Sequence, residues 1–360
     1  MIKAKPWQWI VVGLVLVIVA AGAYLLWWPV RIDPAAWTPQ PAPALAGVYA
    51  PNTRLSETER LAEGFGIGPE TIAVDAQGNI YGGVLDGRIV RLKPDGSGAA
   101  TFVNTGGRPL GIEFDKQGNL IVADAAKGLL SIAPDGKITV LTTDADGKPF
   151  RLTDGIDIGR DGTIYFTDAS YKFSVAETTL DLLEHRGNGR LLAYDPKTGA
   201  TRLLLDQLYF ANGVAVSPDQ SFVLVNETGE YRVRRLWLSG PRQGKDEIFI
   251  DNLPGFPDGI SSNGAGRYWL ALVAPRTSDL DNLLPNPFAR KIIARLPASV
   301  APKATCYAFV LGLDANGKIV ENLQDPGCKR FGFITAVTEH EGKLYFGSLE
   351  LPAIGRFALK

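Results

Sequence analysis

From residue 61 onward, hydrophobic and polar positions return in one order. A short apolar strand comes first, then a turn containing Asp, Asn or Gly, then a second strand of apolar and aromatic residues. The copies read PETIAVDAQGNIYGG from Pro69, PLGIEFDKQGNLIVAD from Pro109 and TDGIDIGRDGTIYFTD from Thr153. They continue as ANGVAVSPDQSFVLVNE from Ala211, PDGISSNGAGRYWLAL from Pro257 and ITAVTEHEGKLYFGS from Ile334. One or two further strands follow each copy, as in GRIVRLKPDG and GLLSIAPDGKITVL. Repetition of a four-strand unit predicts an all-β, six-bladed β-propeller, with insertions in the third and fifth blades. A β-sandwich would not place six turns in one alignment. The stretch RLAEGFG, Arg60 to Gly66, is placed to supply the outer strand that closes the last blade and removes a free sheet edge.

The pattern breaks at the N-terminus. Lys3 and Lys5 precede an uncharged run from Trp7 to Trp28, long enough to cross a bilayer as a helix. Tryptophans at both ends suit the two interfaces. The alternative is a cleaved signal segment ending at Ala21-Gly22-Ala23, but cleavage there would leave YLLWW at the new terminus. The expectation is an uncleaved single-pass anchor over residues 1–30, a Pro/Ala-rich tether over 31–57, and the propeller over 58–360. The lysines keep the short end cytoplasmic and put the propeller on the extracytoplasmic side. Cys306 and Cys328 flank an apparent hairpin; either a disulfide or two free thiols fits the spacing.

Composition adds little beyond class. The 360 residues carry 40 Gly and 24 Pro, which favours turns over long helices. A net charge of -1 without a basic run gives nucleic acid no electrostatic footprint. Oligomeric state is not readable.

Aligning the six copies on their turns exposes the candidate chemistry. The residue opening each inner strand is Glu70, Leu110, Asp154, Asn212 and Asp258, with the alignment slipping by one near Ile334. Inner strands line the central channel, so these residues ring one mouth of it. Asn212-Gly213 is therefore not a hairpin turn; it aims an amide oxygen into the channel. Gly155, Gly213 and Gly259 beside the ring allow close backbone approach or unusual dihedrals. Three carboxylates and an amide at one point repel unless a hard cation joins them, and Ca2+ tolerates such mixed oxygen ligands. Zn2+ would call for His or Cys, absent from this register.

The motifs GPETIAVD, GRLLAYDPKTG, LYFANGVAVSPDQSFVLVNETGEYRVRRLWL, GPRQGKDEIFIDNLPGFPDGI and LYFGSLELPAIGRF resemble the strictosidine synthase-like branch of calcium-dependent six-bladed propellers. Gluconolactonases and paraoxonases are more distant relatives. The resemblance implies a calcium ion held by the Glu of GPE, the Asn of NG and the Asp of PDG, which are Glu70, Asn212 and Asp258. Thr153 stands where the wider family has a further Asn, and Arg151 where gluconolactonase-like members contact substrate. Strictosidine synthase itself uses a Glu before its EHDG turn; the matching position here is Thr335, with Phe333 where a His would stand. The condensing acid/base is missing, so strictosidine synthesis is not expected.

There is no G-x-S-x-G elbow. His185 and His340 are expected to pack in loops or lie on the surface. Metal-assisted hydrolysis of a small ester or lactone remains, with Asp258 as general base or nucleophile. Tyr171, Phe173, Tyr209, Phe210 and Phe256 are candidates for a pocket wall. The alternative is a non-catalytic, membrane-anchored propeller in which calcium is structural.

Overall fold

The computed structural model describes residues 5–297 and 303–359. Six four-stranded antiparallel sheets are arranged as blades. Their inner strands are Ile72–Val74, Pro109–Phe114, Thr153–Ile158, Ala211–Val216, Gly255–Ser262 and Ile334–His340. Blades 1 to 5 are contiguous in sequence. Blade 6 is completed by Glu59–Leu61, which pairs antiparallel with Ile354–Ala358. Closure thus joins the two ends of the propeller, so unfolding of the last blade requires both to separate.

The core lies between blades, because each sheet has two apolar faces and each face meets a neighbour. Ala73 and Tyr81 of blade 1 pack with Ile112 and Leu120 of blade 2. Phe222 and Leu224 of blade 4 meet Ile260 and Tyr268 of blade 5. Trp269 of blade 5 meets Val337 and Leu344 of blade 6, and Ile72 of blade 1 meets Ile354 of blade 6. Such burial is the main favourable term holding the ring, at about 25 cal/mol per Å² of apolar surface removed from water.

The two insertions fall in the third and fifth blades and are helical: Thr178–Glu184 in one, Ser278–Leu283 and Pro287–Ile293 in the other. Thr277 and Asn286 cap the latter two helices through their side chains. Cys306 and Cys328 form a disulfide across the strand pair Ala308–Leu313 and Ile319–Asp325.

One N-terminal helix, Pro6–Trp27, is apolar and long enough to span a membrane. The Pro/Ala-rich segment after it is docked on the blade insertions. Ile32 is buried against Phe173 and Leu183, and Trp37 stacks on His185 at 4.2 Å. Arg295 Nε donates to the Trp28 carbonyl (2.7 Å), and Arg276 Nη2 to that of Gln40 (2.8 Å). Proline-rich backbone offers few donors, so its carbonyls recruit arginines from the insertions. His185 accordingly takes the loop-packing alternative. It is buried between Trp37 and Tyr209, with Nε2 3.3 Å from Glu230.

Candidate metal centre in the central channel

The inner strands share a local irregularity that explains the ring. In blade 3, Thr153 pairs with Asp168 and Ile156 with Phe166, so Asp154 and Gly155 together oppose Thr167 alone. Blade 4 repeats this around Asn212-Gly213, blade 5 around Asp258-Gly259 and blade 6 around Thr335-Ala336. A two-against-one bulge bends the strand and re-aims a side chain. Here it turns the ring residue toward the axis. The sixth ring position is Thr335, which resolves the slipped alignment.

The adjacent glycines are required by proximity, not by dihedral angle, since none of Gly155, Gly213 and Gly259 has positive φ. A Cβ on Gly155 would stand 2.6 Å from the Asn212 carbonyl oxygen, and one on Gly213 2.7 Å from that of Asp258. Backbone cannot yield there as a side chain can. Gly213→Ala is expected to destabilise the fold by about 1–3 kcal/mol, the usual range for overpacking. Denaturant unfolding of the variant measures this, and an unchanged midpoint would show that the blades can spread.

Side chains from neighbouring strands lock the ring together. Thr167 Oγ1 accepts from Gly155 N (2.8 Å) and donates to the Asn212 carbonyl (2.7 Å). Asn226 Nδ2 donates to the Asp258 carbonyl (2.5 Å), and Thr335 Oγ1 to that of Glu70 (2.9 Å). The ring carbonyls of Asn212, Asp258 and Glu70 are thus each satisfied from the preceding blade. Sequence reasoning missed Thr167 and Asn226. Their signal is positional: each is the next-to-last residue of a second strand, in YFTD and LVNE.

Glu70, Asp154, Asn212 and Asp258 all border one central cavity of about 300 Å³ and are each only 4–6% exposed. Burial raises the Glu70 carboxyl to about 7, against a partial offset from the Arg108 guanidinium. Burial also lifts Asp154 well above the usual range, and the charges of Glu70 and Asp258 add to it. Asp258 is raised by burial and then by the charge of Glu70, against a partial offset from the Asn212 amide. Glu70 Oε2 and Asp258 Oδ1 are buried without any hydrogen-bond partner. Orphaned carboxylate oxygens inside a protein are costly unless a cation or proton joins them.

These donors fit a hard, oxygen-preferring cation by chemistry. Among the described residues, no three His, Cys, Asp or Glu side chains stand together as a ready metal cage. The charge of Glu70 acts on both Asp154 and Asp258 across the ring.

The other expected site residues lie elsewhere. Thr153 is buried beside Asp154, its Oγ1 without a partner. Phe210 packs with Leu110, Leu152 and Ala169 at the ring's own end of blades 2 to 4. Arg151 donates to the Lys172 carbonyl (3.2 Å). Tyr171 lies under the Lys148 ammonium (3.7 Å), and Phe256 packs edge-on against Tyr231 (5.1 Å). Phe173 is in the core beneath Ile32. None of these borders the central cavity, which runs from the ring toward Glu113, Asp157, Glu339 and His340. Each of these aromatics is near in sequence to a ring residue or to blade 3. Nearness along the chain does not fix where a side chain points, and Phe210 has a left-handed φ of 57°.

Comparison with known proteins agrees with this architecture. A strictosidine synthase family model matches residues 154–241, and a strictosidine synthase-like N-terminal model matches 47–92. The adipocyte plasma membrane-associated protein of Rattus norvegicus is 37% identical over 351 residues, covering 91% of this chain and 93% of that protein. Protein STRICTOSIDINE SYNTHASE-LIKE 7 of Arabidopsis thaliana is 41% identical over 313 residues, covering 83% and 82%. A solved gluconolactonase from Xanthomonas campestris shares the fold at a TM-score of 0.62 and 17% identity, covering 92% of this chain and 99% of its own. With a bulged, oxygen-lined propeller channel and full-length relatives of this kind, the chain belongs to the strictosidine synthase-like family that includes the adipocyte plasma membrane-associated proteins.

Proposed function

We propose that the protein is a calcium-dependent hydrolase of small esters or lactones, held at a membrane by its N-terminal helix. The observation that carries this reading is the pair of orphaned, buried oxygens, Glu70 Oε2 and Asp258 Oδ1, bordering a cavity of about 300 Å³. Glu70, Asp154, Asn212 and Asp258 would hold the ion. When bound, calcium supplies Lewis-acid polarisation of a carbonyl oxygen. Asp258 takes the proton of an attacking water at Oδ1, the oxygen that no protein group satisfies. Asn226 fixes the Asp258 backbone by donating to its carbonyl. The likeness to gluconolactonase supports a lactone among the substrates only at the level of fold. Thr335 and Phe333 leave the ring without the acid/base that strictosidine synthesis needs.

Lys3 and Lys5 before the helix, and the Cys306–Cys328 disulfide beyond it, support placing the propeller on the extracytoplasmic side. A second reading, a non-catalytic propeller with a structural ion, draws on the apolar cluster of Leu110, Leu152 and Phe210 at the ring's own end.

A panel of aryl esters and aliphatic lactones, assayed on detergent-solubilised full-length protein with calcium and with excess chelator, separates the two. Turnover abolished by chelator and restored by calcium is the expected result. No turnover across the panel, with calcium still bound, would hand the site to the structural reading.

A further inference from the structure

Blade 2 breaks the ring of oxygens: it offers Leu110 where its neighbours offer Glu70 and Asp154. The same blade supplies a cation two residues earlier. Arg108 is 4% exposed, and its guanidinium reaches back across the blade 1 boundary. Nη2 donates to the Gly68 carbonyl (2.8 Å) and Nη1 to that of Gly83 (3.3 Å). Gly68 lies two residues before Glu70, and a Cβ there would stand 2.9 Å from Arg108 Nη2. The remaining nitrogen, Nε, is buried with no partner. Burial of an arginine so incompletely paired is expensive unless its charge is used. The negative charges that act on it are those of Glu70 and Asp154 on the ring first, then Asp124 and Asp86. Asp124 is already engaged by backbone N–H groups of Arg108, Ala126 and Lys127 and by the Thr105 hydroxyl. Asp86 is engaged by its neighbour Arg88. Among the described residues, no lysine or arginine lines the cavity itself, so Arg108, set behind Glu70 through its bond to the Gly68 carbonyl, is the fixed counter-charge of the ring.

We propose that Arg108 sets the charge of the ion the ring accepts. This rests on the reading of the ring as a cation site. The ionised ring carries three negative charges, from Glu70, Asp154 and Asp258, and Arg108 returns one. A divalent ion then brings the sum to zero, whereas a trivalent ion leaves an excess of one positive charge in a buried place. Neutralising Arg108 shifts that balance point to a trivalent ion. Removing one carboxylate as well shifts it back.

The test compares Tb3+ and Ca2+ dissociation constants by calorimetry on the detergent-solubilised full chain. The variants are Arg108→Met, Arg108→Lys and the double variant Arg108→Met/Asp154→Asn. Arg108→Met is expected to raise the affinity ratio of Tb3+ over Ca2+ by about tenfold or more, since a buried unit charge acts strongly at short range. Arg108→Lys keeps the ratio of the unmutated protein, and the double variant returns to it. A folded Arg108→Met with an unchanged ratio overturns the proposal. If that variant does not fold, the double variant carries the test, and a tenfold departure from the original ratio overturns it equally. Failure of the unmutated protein to bind either ion would instead remove the cation site itself.

Discussion

Asp258→Asn is expected to lower hydrolysis of a responsive ester or lactone by about two orders of magnitude or more at saturating calcium. Positioned general-base catalysis typically contributes 10²–10⁴-fold. The substitution keeps an oxygen of nearly the same shape at the ring and leaves the Asn226 clamp untouched, because that clamp is to the Asp258 backbone carbonyl. What it removes is a charge and a basic site at Oδ1. Weaker calcium binding could mimic the loss, so turnover is compared only where added calcium no longer raises it. Glu70→Gln is the matching control. If Glu70 serves as a ligand, much of its lost activity returns as calcium is raised. Near-full turnover of Asp258→Asn at saturating calcium would reduce Asp258 to a ligand and pass the base role to Asp154, the next raised carboxyl of the ring.

The second large effect is on stability, and it depends on pH. In the metal-free protein Glu70, Asp154 and Asp258 all have carboxyls raised above their unfolded values, chiefly by burial. Groups raised in the folded state contribute stability that is complete below about pH 4. It is lost as pH rises through the folded value. For Glu70 the rise from 4.5 to about 7, at about 1.4 kcal/mol per unit, corresponds to roughly 3 kcal/mol lost by pH 8. Metal-free protein therefore melts at falling temperature between about pH 5 and 8. Under the proposed reading calcium is expected to offset the trend, because it would bind the ionised ligands. At 100 times its dissociation constant it adds about 2.7 kcal/mol. Thermal melts with calcium and with excess chelator should separate widely at pH 8 and little at pH 5. A separation that is absent, or largest at pH 5, would contradict this account.

The ring was legible in the sequence because a propeller repeats its register. Glu70, Asp154, Asn212 and Asp258 are far apart along the chain, yet they occupy one place relative to six similar turns. The bulge that aims them leaves a trace as well, in the glycine after Asp154, Asn212 and Asp258. The fold was legible for the same reason, down to the closing strand, which is shorter than expected at Glu59–Leu61. Arg108 was not, since its effect depends on a guanidinium reaching into another blade, and no repeat position marks it. The stacking of Trp37 on His185 escaped for a related reason. Their contact joins residues 148 positions apart (185 − 37 = 148) through a helical insertion that has no counterpart in other blades. Local pattern reports elements that recur; it is silent about contacts made once.

The most direct test of the central claim is calcium stoichiometry by equilibrium dialysis on metal-free, detergent-solubilised full-length protein at pH 8. The account predicts one saturable calcium per chain, and greatly weakened binding in Glu70→Gln/Asp258→Asn, which removes charge from both orphaned carboxylates. Absence of saturable binding, or binding unaltered in the double variant, would contradict it.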